Sequence, residues 1–153
     1  MQTFLPFPDF HESAACLDMR RLCKQRVEAM QILRTITGLS SGWASHPAVA
    51  MWRGHPQALA SYGYVVCEEW RSRGYFDTAL SFFDAWLDAN GTEWSDALLP
   101  PWFGDAAFHA SHRSNLLRID PTHYAAFHWD EAPNLPTSSE KVLETPQQMP
   151  TLS

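Results

Sequence analysis

One helical stretch, Arg20 to Thr37, constrains this chain more than any other feature. Leu22, Ala29, Leu33 and Ile36 recur at spacings of seven, four and three, which places them on one stripe of a helix. Asp18 stands before the stretch as a cap and Gly38 after it as a natural stop. The opposite stripe reads Arg21, Lys24 or Gln25, Glu28, Gln31 or Ile32, and Thr35. Glu28 is therefore expected to face away from the packed side.

The rest of the chain is punctuated in the same helical idiom. Asp9, with Glu12 three residues later, marks a first helix start. Residues 39–46 read as a loop, and His46-Pro47 opens a short helix through Trp52. Pro56 sits at the first turn of a helix to Arg73, with Gly74 as its stop and Leu59, Tyr62, Gly63, Val66 and Trp70 inward. A further helix is expected over 77–89, stopped by Asn90-Gly91, then a Trp-rich ordered loop over 91–104. Asp105 caps a helix through Leu117, and Asp120-Pro121 opens a short last one carrying His123, Tyr124, Phe127 and Trp129. No alternating strand pattern runs beyond a few residues. The pattern predicts an all-α fold, a compact single-domain bundle of about five to six helices with long ordered loops over residues 1–130. Four prolines, several Ser/Thr and few large apolar groups make 131–153 a flexible tail.

Composition narrows the function classes. No run of 18 apolar residues exists to span a membrane, and the N-terminus lacks the basic and apolar regions of a secretory signal. Three cysteines, Cys16, Cys23 and Cys67, with no CxxC spacing, read as reduced thiols of a cytoplasmic protein. The net charge is −6, but its distribution matters more than its sum. Residues 1–75 hold eight Lys/Arg against six Asp/Glu, whereas 76–153 hold three against eleven. A local basic face on the first half can still meet phosphate.

Three segments can carry chemistry. Glu28 lies one turn from Lys24 and Gln25, with Arg21 a turn further back. An ordinary i,i+4 Lys–Glu pair on a solvated face is the plain reading, and a catalytic carboxylate the sharper one. His109 and His112 lie one turn apart, as zinc ligands can, but no third ligand is evident, so no metal or cofactor is expected. Contact of His112, Arg113 and Asn115 with phosphate or base edges stands beside a merely polar helix face. Arg53, next to Gly54 and before a helix start, is a weaker phosphate candidate. Trp52 reads as core before stacking platform. No Walker loop, GxGxxG or GxSxG is present.

The segments MQTFLP, LDMRRLCKQRVEAMQIL, HPAVAMW, ALASYGYVVCEEWRSRGY and FHASHRSNLLRIDPTHY follow in order over roughly residues 1–128. Together they resemble the phage endonuclease V type, the pyrimidine-dimer DNA glycosylase family. The resemblance implies an all-helical domain, a monomer, that acts on double-stranded DNA with a damaged or modified base. A chain-terminal α-amine would attack C1′ and a helix-borne glutamate would assist base release and β-elimination. Glu28 matches that glutamate. Arg26 and Lys24 lie where the family carries basic residues near the phosphate, and His123 and Tyr124 where it has aromatic DNA contacts. Gln2 departs from the small second residue that lets the initiator be removed, so Met1 is expected to stay, and either its amine is the nucleophile or the chain has none. A non-catalytic nucleic-acid-binding or interaction module on the same scaffold is the rival reading, and a hydrolase of nucleotides or small N-glycosides a third.

Overall fold

The computed structural model describes residues 1–91 and 99–135. Among these residues the elements are α1 (Phe10–Cys16), α2 (Met19–Ile36), α3 (Pro47–Ala50), α4 (Pro56–Ser72), α5 (Leu80–Asn90), α6 (Ala106–Ile119) and α7 (Pro121–Tyr124), with a 3-10 turn at Ala125–Phe127. No described residue lies in a strand. α3 and α7 are single turns, so the fold is all-α, and five longer helices carry it.

The caps read from the sequence form as hydrogen bonds. The Asp9 side chain accepts from Glu12 N, Asp18 from Arg21 N, and Asp105 from Ala107 N. Each satisfies a backbone donor that the first turn of a helix cannot. Gly38 follows α2 at φ +84°, a conformation that favours glycine. α5 begins at Leu80, not at 77, because the Asp77 carboxylate accepts from Leu80 N at 2.7 Å and closes the helix there.

α4 is the central element and packs against α1, α2 and α5. Its inward residues Leu59, Tyr62, Val66 and Trp70 are buried as the period predicts. The aromatic residues build most of the remaining core. Trp52 is fully buried, stacked on Tyr62 and edge-on to Trp102, and Trp102 stacks on Phe108. The Trp-rich loop falls partly outside the described residues, but Trp102 anchors its end by donating its indole N–H to Met51 O. The three cysteines are free, and burial pushes the Cys16 thiol up to about 12 and the Cys67 thiol upward too. Both thiols are therefore poor nucleophiles at neutral pH. Cys23 is only partly buried.

α2 departs from its expected two-faced character. Leu22, Ala29 and Leu33 are buried, but so are Gln25, Ile32 and Thr35 on the side expected to meet solvent. That side is covered by residues 1–5 and by the loop before α3. At the other end, residues 131–135 are held on α6. Glu131 pairs with Arg113, Ser114 Oγ donates to Ala132 O, and Leu135 N donates back to Ser114 Oγ. The remainder of the expected tail, 136–153, lies outside the described residues.

Gly63 sets the approach of α4 to α5. A Cβ there would fall 2.3 Å from carbons of the fully buried Phe83 ring. Gly63→Ala gains helix propensity but overpacks a rigid contact. It is expected to lower stability by about 1–3 kcal/mol, read by chemical denaturation. A stability equal to wild type would show that Phe83 can move aside.

Candidate active site

Residues Met1 to Leu5 form no helix or strand, yet Thr3, Phe4 and Leu5 are buried. Buried backbone N–H and C=O groups must find partners, and no sheet supplies them here. Side chains from α2, α4 and α6 do. Gln25, itself fully buried, accepts the Phe4 N–H at 2.9 Å through Oε1 and donates to Gln2 O at 2.7 Å through Nε2. The Tyr62 hydroxyl lies against Phe4 O at 2.9 Å and against Gln25 Oε1. The Trp52 indole N–H donates to Thr3 Oγ1 at 3.0 Å.

Leu5 is gripped by two imidazoles of α6. Its N–H donates to His112 Nδ1 at 2.8 Å, and its carbonyl accepts from His109 Nδ1 at 2.7 Å. Gly104 N donates to His109 Nε2 at 2.9 Å, so the proton of neutral His109 is on Nδ1. Burial pushes His112 down to about 3, with the neighbouring His109 adding to the effect. Burial likewise holds His109 below the usual histidine range. Both rings are neutral hydrogen-bonding groups, and no cluster of metal-ligating side chains stands among the described residues. Arg113 donates to Pro6 O at 2.6 Å, and Asn115 Nδ2 donates to Gln2 Oε1 at 3.1 Å.

The result is that the first residues lie beside Glu28. Its Oε2 accepts the Gln2 N–H at 3.3 Å and the Gln25 Nε2–H at 3.2 Å. Its Oε1 has no hydrogen-bond partner among the described residues. Glu28 lines a cleft of about 240 Å³ with Met1, Gln2, Phe4, Arg21, Lys24 and Ile119. Lys24 is exposed and makes no ion pair among the described residues, so the plain i,i+4 Lys–Glu pair is not formed. Arg21 pairs with Asp18 at 3.1 Å. Arg21 and Lys24 also line an adjoining groove of about 510 Å³ with Met19, Arg20, Cys23 and Trp70. The larger 580 Å³ cavity between α1, α4 and α5 shares no residue with either and carries Asp9, Glu68 and Asp84. Its acidic lining would repel a phosphate backbone, whereas the groove beside Glu28 would attract one.

Met1, Arg21, Lys24, Gln25 and Glu28 thus come together, whereas other expected DNA contacts are engaged elsewhere. Arg26 is turned to the buried Asp77 carboxylate, beneath the Trp70 ring at 4.8 Å, and ties α2 to the start of α5. His112 is 1% exposed and Asn115 5%, so neither is at the surface to meet DNA; both hold the N-terminal segment instead. Tyr124 is buried with its hydroxyl donating to Asp18 Oδ1, and the exposed His123 donates through Nε2 to Cys16 O. Arg53 is exposed but braces the 38–46 loop through Ala44 O at 2.9 Å. Gln2, Thr3, Tyr62 and Asp77 carry parts of this construction that no spacing in the sequence announces, since their partners lie 23 to 113 residues away.

The described residues thus form an all-helical domain whose first residues lie beside a helix-borne carboxylate. The family described as pyrimidine dimer DNA glycosylase matches residues 1–81, more than half of the 153-residue chain. The chain belongs to that family. No curated protein and no solved structure matches it. The matched region holds the N-terminal segment, α2, α3 and α4 but ends before α6, which supplies the imidazoles that grip Leu5.

The depressed His112 value means that the unfolded chain binds a proton there, at about 6.5, before the folded chain does. Its stabilising contribution is complete above pH 6.5 and is lost as pH falls from there toward 3. His112→Asn keeps an acceptor for Leu5 N–H but cannot titrate, so its melting temperature should fall less steeply over this range. Equal slopes would show that His112 is solvated. Arg26→Ala leaves the Asp77 carboxylate without its cation, held by backbone N–H groups such as that of Leu80, and should cost about 1–3 kcal/mol in denaturation, with no change in the salt dependence of DNA binding. Lys24→Ala should instead make that dependence shallower by about 0.9 in log–log slope.

Proposed function

We propose that the protein is a DNA glycosylase with AP-lyase activity, which excises a damaged or modified pyrimidine from double-stranded DNA through the Met1 amine and Glu28. The observation that carries this reading is the bond from Gln2 N–H to Glu28 Oε2, which tethers the first peptide at the cleft that Met1 and Glu28 share.

The chemistry follows from the groups available. An α-amine has a reference pKa of about 7.7–8.0 against about 10.4 for a lysine, so more of it is free base at neutral pH. As the base departs with the electron pair of the C1′–N bond, the sugar becomes cationic. A carboxylate with an unengaged oxygen stabilises that charge where it develops. The amine lone pair then forms the N–C1′ bond, the sugar opens to an imine, and loss of a C2′ proton expels the 3′ phosphate. In this reading Glu28 is the base that takes that proton. Arg21 and Lys24 hold the flanking phosphates, and a damaged nucleotide is cheaper to unstack than a sound one. The scheme calls on no metal or cofactor.

Glu28→Gln retains an oxygen to accept the Gln2 N–H but removes the charge. It should melt close to wild type and lose base excision by at least about a hundredfold on a duplex carrying a pyrimidine dimer. Borohydride reduction should trap wild type on DNA through its first residue. A residue added ahead of Met1 should abolish trapping, whereas Lys24→Ala should not. Excision by Glu28→Gln at the wild-type rate would refute the assignment.

A further inference from the structure

The loop between α2 and α3 presents a tryptophan in a way the fold does not need. Trp43 is 58% exposed, and its backbone sits at φ +62°, a left-handed conformation that is costly for a bulky residue. The loop around it is stiff. Leu39 N and Ser40 N both donate to Arg34 O, and Thr35 Oγ1 donates to Gly42 O at 2.7 Å. His46 N donates to Trp43 O at 2.9 Å, and Arg53 braces Ala44. The indole meets the His46 ring in a T-shaped contact at 5.8 Å, its one ring–ring contact among the described residues, and more than half of the residue stays exposed. A strained backbone that holds a large ring out in water gains little from burial, and such outliers mark binding sites.

The place of the loop says what the ring would meet. Thr35 lies seven residues after Glu28, two turns along the same face of α2, about 10.5 Å away. That is less than the width of a DNA major groove, about 12 Å. The exposed Gln31 lies on α2 between Glu28 and the loop, whereas Lys24 lines the cleft itself and Arg34 is stacked over the Phe82 ring at 5.2 Å. Arg21 and Lys24 at the cleft and a flat, outward ring at the loop match the two features of a nucleic acid, a phosphate backbone and a base with a π-face.

We propose that Trp43 is a DNA-binding residue that stacks on a nucleobase flanking the nucleotide held at the Glu28 cleft. The proposal rests on the glycosylase reading and adds a second contact point to it. The loop keeps the ring preorganised, so little entropy is lost on contact.

The test uses the full chain and a duplex carrying a stable abasic-site analogue, with affinity read by fluorescence anisotropy across a salt series. Trp43→Ala should bind roughly tenfold more weakly, with an unchanged salt slope because the lost contact is not ionic. Trp43→Phe should restore most of the affinity. Trp43→Gly removes the ring and relaxes the backbone, so it should lose affinity like Trp43→Ala while melting at or above the wild-type temperature. In duplexes with 2-aminopurine at successive positions, one flanking position should change its fluorescence with wild type and not with Trp43→Ala. If Trp43→Ala binds as tightly as wild type while Lys24→Ala binds more weakly, the stacking role is overturned and the DNA reading survives. If Trp43→Gly melts many degrees lower, the ring is a structural prop and the proposal is likewise wrong. Failure of the wild-type protein to bind any duplex would overturn the glycosylase reading and this inference with it.

Discussion

The backbone of residues 2–6 has no sheet to lie in, and the rest of the structure depends on how its polar groups are satisfied. An unpaired buried N–H or C=O costs about 1–3 kcal/mol. Gln25, Tyr62, His109, His112 and Arg113 provide the partners, drawn from three helices. This network is why α2 is buried on two sides and why α6 is polar yet inward. It also holds Gln2 beside Glu28. A polar core of this kind specifies one arrangement, because any shift in register leaves several donors unpaired at once.

The same network explains which histidines and arginines are available for function. Neutral imidazoles suit Leu5 because one ring accepts from its N–H and the other donates to its carbonyl. Protonation would remove the acceptor, so burial and function of these rings go together. Arg26 and Arg113 hold buried or half-buried carboxylates and carbonyls. The cations left to the surface near Glu28 are Arg20, Lys24 and, in part, Arg21. An acidic protein thereby keeps a basic groove at its candidate active site, with Asp9, Glu68 and Asp84 gathered around a separate cavity.

Membership of the pyrimidine dimer DNA glycosylase family rests on residues 1–81, and the geometry gives that stretch a physical unity. It contains most of the cleft lining, from the first residues and α2, and the central helix α4 that supports them, while Ile119 of α6 closes the cleft from outside the match. α6 lies outside the match but completes the site by gripping Leu5. Position at the cleft is thus shared between a recognisable segment and a distant helix, which holds residues 2–6 by hydrogen bonds with His109, His112, Arg113 and Asn115 and lines the cleft with Ile119.

Helix by helix, much of the fold was legible in the sequence. Asp9, Asp18 and Asp105 are caps, Gly38 and Gly74 are stops, and the α4 stripe is core, because capping and periodicity act over four residues or fewer. The place of Glu28 off the apolar stripe was legible for the same reason. The sequence could not show that Gln25 and Thr35 would be covered, since what meets them comes from residues 2–4 and 42. Nor could it tell His112, Asn115 and Arg26 from surface DNA contacts: a polar residue reads alike whether its partner is water, phosphate or a peptide over a hundred residues away. Local chemistry determined the helices and their ends. Only the tertiary structure decided which polar side chains are left to solvent, because that depends on long-range pairing of buried backbone groups.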